Sequence, residues 1–270
     1  MNIYDGFLRD RKILIEKYPS WNKISHNDGI INIPTPQLLL GFAGYVKYNL
    51  KESTDVFFRG EKKYYPKLIP ALFRAQENEV INSERLNLRF AAYMDLIERV
   101  PDLYKAKRFR NENINSILQH YGIKTACIDL VDNLFVAIWF SNNNTNNDYT
   151  YIKFICTNLN NSNLIITDLR KALSSLSLRP HCQHGLTAHK KNSKWTTINV
   201  DYSTNVAATV RIPNDECFKL NSSIFSNGFM FPSIELDNTY KYLKTKKFQK
   251  LLDKITCDYG LNANELGEID

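Results

Sequence analysis

The run Leu134-Phe135-Val136-Ala137-Ile138-Trp139-Phe140 is apolar almost all the way round. Whatever the chain folds into, this segment lies wholly inside it, because neither a one-sided strand nor a surface helix tolerates apolar residues on every face. Asp132 and Asn133 stand just before it, and either can cap a helix start, so the run reads as a buried helix rather than a strand. The Asn-rich stretch from Asn142 to Asp148 then reads as a loop. With 270 residues the chain is long enough to bury such an element in a substantial core.

Other elements follow from periodicity and punctuation. Helices are expected over Leu8–Lys17 and Gln37–Asn49, separated by the Pro34-Thr35-Pro36 break. Together they read as a helical cap. A short strand carries Phe57 to Arg59, and Tyr64 to Pro70 reads as extended because residues before proline avoid the helical region. Leu86, Phe90, Tyr93, Met94 and Ile97 recur at helical spacing, with Ser83 as a start signal. Asn111 or Asn113 caps a helix from Ile114 to about His120, which Gly122 stops. Strands are expected over Tyr149–Cys156, Leu164–Thr167, Thr196–Tyr202 and Ala208–Ile212, with a second Asn-rich loop at Asn158–Asn163. Late helices are expected over Glu216–Ser226 and from Leu236 to about Ile255.

Composition excludes several classes. Hydrophobic content of 43% and charged content of 23% are those of a globular protein, not a disordered one. No apolar run reaches the roughly 18 residues that would span a bilayer, and the amino terminus carries Asp5, Arg9, Asp10, Arg11 and Lys12 in place of a signal-peptide core. A cytoplasmic, membrane-free setting is therefore expected. The five cysteines, Cys127, Cys156, Cys182, Cys217 and Cys257, are widely spaced and read as free thiols. Adjacent ligands such as His181, Cys182 and His184 rarely close a tetrahedron, so no metal is expected.

A net charge of +7 favours encounter with anions such as RNA, DNA and dinucleotides. It is concentrated at Lys105, Lys107, Arg108 and Arg110 and along a late helix from Lys241 to Lys254, where a solvated face is the simpler reading. Tyr64, Tyr65, Phe73 and the basic stretch near Arg108 could hold a single-stranded nucleic acid, although aromatic residues mostly fill cores. Neither of the two commonest glycine-rich phosphate loops is present.

Two islands carry candidate chemistry. Phe57-Phe58-Arg59-Gly60 ends a short apolar run on a guanidinium, a bidentate anion receptor, with Gly60 letting the backbone turn away. Gln119-His120-Tyr121-Gly122 is followed by Thr125 and Asp129. Each residue has a structural reading beside the functional one: Arg59 as a turn anchor, His120 as a partner for helix-end carbonyls, Asp129 as the cap of the next helix and Gln183 as a bond to a sheet edge.

Phe58-Arg59-Gly60, Leu68 to Arg74, Gln119 to Thr125 with Ile128-Asp129, and Gln183-His184-Gly185 occur in an order that resembles the bacterial FRG domain. Gly228 to Ile234 fits its carboxyl-terminal part, so the resemblance runs over about residues 54 to 245. Lys124, Ala126 and Thr187 depart from the usual pattern. More distantly, the family is similar to the ADP-ribosyltransferase superfamily. That resemblance implies an α+β fold with a split, mainly antiparallel sheet flanked by helices. It also implies NAD as substrate, a nucleic acid or protein acceptor, a possible neutralising partner, and a toxin or antiphage-defence role.

By the same likeness Arg59, with Gly60 and Thr125, binds the cofactor, while His120 and Tyr121 frame the ribose and Gln183 orients hydroxyls in one shared pocket. The glutamate of the superfamily's Gln-x-Glu element is here Gly185, and Asp129 is the preferred carboxylate in its place, ahead of Glu61, Glu216 and Glu235. Residues 1–50 are expected as an N-terminal helical extension, 51–245 as the FRG domain, and 246–270 as a helix end and tail. Two alternatives remain open: a non-catalytic module binding a nucleic acid or nucleotide, and a metal-independent nuclease with His120 as general base.

Overall fold

The computed structural model describes residues 3–50, 54–75, 82–104, 111–157, 164–172, 177–190, 200–222 and 225–269. The basic stretch at Lys105–Arg110, the loop at Asn158–Asn163 and most of the strand expected at Thr196–Tyr202 lie outside them, as do the side chains of Asn111 and Asn113. The fold is α+β with mainly antiparallel strands. It divides into two compact units, Met1–Pro66 with Val131–Asn163 and Ser203–Ser226, and Lys67–Leu130 with Leu164–Tyr202 and Asn227–Asp270.

The first unit contains α1 (Ile3–Lys17), β1 (Ser25–Asn27), β2 (Ile30–Asn32), α2 (Pro36–Asn49) and β3 (Val56–Glu61). The last residue of β4 (Ile128–Val131) belongs to it too, with α5 (Leu134–Asn142), β5 (Tyr149–Cys156), β8 (Val206–Pro213) and α8 (Glu216–Ser222). Its strands run in the order β1-β2-β8-β5-β3, antiparallel except where β2 meets β8. The buried run is indeed a helix, α5, with the Asn133 side chain accepting from the Phe135 amide at 2.9 Å.

Helix α5 lies directly on β3, because Gly60 has no side chain: a Cβ there would sit 2.0 Å from the Ala137 carbonyl oxygen. The chain does not turn away at Gly60, as the sequence reading had it, but stays in the sheet through Glu61. On that same sheet face Phe58, Phe154, Phe42 and Phe7 form an edge-to-face chain with centroid spacings of 5.2, 5.5 and 5.4 Å.

Residues 1–50 are not helical throughout. Between α1 and α2 a hairpin turns on Asp28 and Gly29, both at positive φ (48° and 78°), and delivers β2 to the sheet. Asp-Gly is the residue pair such a two-residue turn needs, so the signal was present in the sequence.

The second unit holds α3 (Ser83–Tyr104), α4 (Asn111–His120), the strand order β4-β7-β6 with β6 (Leu164–Asp168) and β7 (Gly185–Lys190), and α6 (Leu169–Ala172) and α7 (Leu178–Cys182). α9 (Asn227–Met230), α10 (Asn238–Leu243), α11 (Lys246–Asp258) and α12 (Ala263–Leu266) complete it. Tyr93, Leu96, Ile97, Ile117, Leu118, Phe248 and Ile255 form its core. Met94, expected on the buried stripe, is 37% exposed, and Leu96 and Val100 take part instead. Helix α3 begins at Ser83, as expected, and its cap is Asn82, whose side chain accepts from the Arg85 amide at 2.8 Å. The single late helix expected from Leu236 is two, because the Thr245 side chain caps a fresh start by accepting from the Phe248 amide at 3.4 Å.

Candidate functional site

His120 is the last residue of α4, and Gly122, at φ 100°, ends the helix behind it. Its Nδ1 lies 2.7 Å from Oε1 of Gln183, which ends α7, and Gln183 Nε2 donates to the Met230 carbonyl at 2.8 Å. A carbonyl only accepts, so the Gln183 amide must turn its nitrogen to Met230 and its oxygen to the imidazole. Nδ1 is therefore the protonated nitrogen of neutral His120, and Nε2 carries the lone pair. Nε2 is buried without a hydrogen bond, and Asp129 Oδ1 on β4 lies 3.7 Å from it. The His120 side chain is 5% exposed and that of Asp129 41%, so the carboxylate is the solvent-facing member.

Gly185, which opens β7, completes this cluster by what it lacks. A Cβ there would lie 2.7 Å from Cε1 and 2.9 Å from Nε2 of His120. The imidazole fills the space that a side chain at 185 would need.

Behind His120 stands a buried scaffold that the sequence reading missed. Tyr121 is fully buried, and its hydroxyl donates to Asp237 at 2.6 Å. Asp237 also accepts from the Leu178, Arg179 and Tyr240 amides at 3.0, 3.1 and 3.0 Å, so one carboxylate ties the starts of α7 and α10. The guanidinium of Arg179 lies over the rings of Tyr121, Tyr240 and Phe231, at 5.0, 4.2 and 5.4 Å, and donates to the His120 carbonyl at 3.4 Å. Arg179, Phe231, Tyr240 and Lys244 line a cleft of about 680 Å³ that Glu235 also borders. Asp237 could have been suspected from its place before Asn238 and Thr239, had the helix not been read as starting at Leu236, two residues before its first turn.

The residues named from the sequence thus divide. His120, Asp129 and Gln183 come together. Tyr121, expected beside His120 at the ribose, points into the core and supports this group from behind. Thr125 is fully buried, donating to Gln119 Oε1 at 2.5 Å and accepting from the Cys127 amide at 3.2 Å, which makes it a turn lock. Burial pushes the neighbouring Cys127 thiol up to about 12, with the Asp129 charge adding to the effect, so it is no nucleophile at neutral pH.

Arg59 belongs to the first unit. Its Nε donates to Glu61 Oε1 at 3.2 Å, and Lys153, its partner across the β3–β5 ladder, places Nζ 3.7 Å from Glu61 Oε2. Gly60 serves helix packing on the opposite face. Of the other carboxylates weighed, Glu61 is buried in this cluster and Glu216 lies on an exposed helix 3.7 Å from Lys219.

Among the described residues no helix is long and apolar enough to cross a membrane. No curated protein and no solved structure matches the chain. The family model of the FRG domain matches residues 54–150, which takes in Arg59, His120, Tyr121 and Asp129 and stops short of Gln183. Within residues 54–150, then, the chain carries an FRG domain.

Proposed function

We propose that the protein is an ADP-ribosyltransferase-like enzyme that uses NAD to modify a macromolecule. One observation carries the reading: an imidazole of defined tautomer, its lone pair turned toward a carboxylate, occupies the space vacated at Gly185, where the transferase pattern has its glutamate. Bound NAD would supply a ribosyl carbon activated by a good leaving group. Asp129 offsets the positive charge that develops on that carbon, and His120 Nε2 takes the proton of the attacking acceptor hydroxyl or amine. Gln183 and Gly185 hold the imidazole, and Tyr121 with Asp237 holds the segment that carries it.

A toxin or antiphage-defence setting belongs to the same proposal.

The test is incubation of the purified chain with adenine-labelled NAD and, separately, bulk cellular protein, RNA and DNA. Nicotinamide release with transfer of label is expected, reduced about 10²- to 10³-fold in Asp129→Asn and at least as far in His120→Ala. Absence of nicotinamide release with every acceptor would defeat the proposal, and strand cleavage without NAD would point to the nuclease reading of the same histidine.

A further inference from the structure

In the first unit, the sheet face opposite α5 carries an aromatic and cationic row that the proposed chemistry does not use. Residues paired across the strands share a face, so Tyr151 of β5 stands between Glu61 of β3 and Arg211 of β8. Tyr149, two residues before Tyr151, is on that face too. The Arg211 guanidinium lies 4.5 Å from the Tyr149 ring centroid, and its Nε is buried without a hydrogen-bond partner. Tyr64 packs on Tyr151 with centroids 5.6 Å apart, and Lys153 lies over the Tyr64 ring at 5.5 Å. Tyr64 and Tyr149 are 41% and 47% exposed, and Lys62 and Lys63, which precede Tyr64 in the chain, are exposed too.

Glu61 pairs with Arg59 and Lys153, and Arg211 brings a further guanidinium to this face. Alternate residues on a strand are about 7 Å apart, close to two base-stacking rises. Exposed rings with interleaved cations meet the two demands of an unpaired polynucleotide: a π-face for each base and a positive charge for each phosphate. A base inside a duplex offers its face to neither.

From this the geometry points to a binding platform for single-stranded nucleic acid, built on Tyr64, Tyr149, Tyr151 and Arg211. It differs from the set expected from sequence: Phe73 is 8% exposed and belongs to the core, and Arg108 lies outside the described residues. The platform stands independently of the transferase reading, since it needs no NAD and none of His120, Asp129 or Gln183.

The test is fluorescence anisotropy of the full chain against labelled oligo-U RNA, oligo-dT DNA and a DNA duplex, each of about twelve nucleotides, enough to cover a site of ordinary size. Both single strands should bind better than the duplex, and their comparison assigns the sugar. Tyr149→Ala should weaken binding about tenfold while Tyr149→Phe, which keeps the ring, stays within about twofold of the parent. Lys62→Gln should lower the salt dependence by about one phosphate contact. Equal binding of the duplex, no binding at all, or a loss in the surface control Lys247→Gln/Lys250→Gln as large as in Tyr149→Ala would overturn the platform. NAD turnover in Tyr149→Ala reports on the other proposal separately.

Discussion

Oε1 of Gln183 lies 2.7 Å from Nδ1 of His120, and the bond is directional because the other end of the same amide is held by a backbone carbonyl. It sets which imidazole nitrogen carries the proton. In the imidazole ¹⁵N spectrum at a pH where the ring is neutral, His120 should show the Nδ1-protonated pattern, and Gln183→Leu should shift it toward a mixture. Removing both bonds of a buried amide should also lower stability by about 1–3 kcal/mol. An Nε2-protonated ring in the parent protein would contradict this assignment.

The two close-packed glycines should differ when a methyl is added. At Gly185 the obstacle is a side chain, so Gly185→Ala should fold, lose about 1–3 kcal/mol and displace the His120 ring, abolishing any activity that depends on it. At Gly60 the obstacle is the backbone of α5, which cannot rotate aside, so Gly60→Ala should be the more damaging change. Urea titration of both variants checks the order.

Asp237 should matter more to folding than any residue that touches it. Asp237→Asn puts an amide nitrogen among donors where a carboxylate now accepts from Tyr121 and three backbone amides, and about 3 kcal/mol should be lost. Tyr121→Phe removes one donor and leaves the amides in place, so it should cost about 1 kcal/mol. Thermal melts that ranked these two in reverse would remove Asp237 from its central place.

Acid should weaken the second unit through Glu265. Burial alone would push its carboxyl up, but hydrogen bonds from Arg85, the Asn262 amide and Arg89 outweigh that and hold it below its ordinary 4.5. Because the folded value lies below the unfolded one, this contribution is fully present above about pH 4.5 and fades as pH falls through the folded value. Glu265→Gln should flatten that part of the stability–pH curve. It should also cost about 3 kcal/mol at neutral pH, because it removes the carboxylate charge that faces Arg89, whose side chain is 2% exposed.

Much of the local structure could be read from the sequence by itself. The all-apolar run had to be a buried element and its Asn133 cap made it a helix, while alternation in Tyr149–Cys156 and the FRG triplet on β3 were equally plain. These depend on periodicity and capping, which act within a few residues of each other. The Asp28-Gly29 hairpin and the Thr245 cap carried signals of the same short range that the reading passed over.

What only the tertiary structure decided is which side chains meet. His120 finds Gln183 63 residues away, and Tyr121 finds Asp237 116 residues away. The same packing turned Tyr121 inward, made Thr125 a turn lock and gave Gly60 to α5. No local pattern encodes such pairings, because they follow from how layers of helix and strand exclude water together, and a side chain takes whatever partner that exclusion leaves within reach.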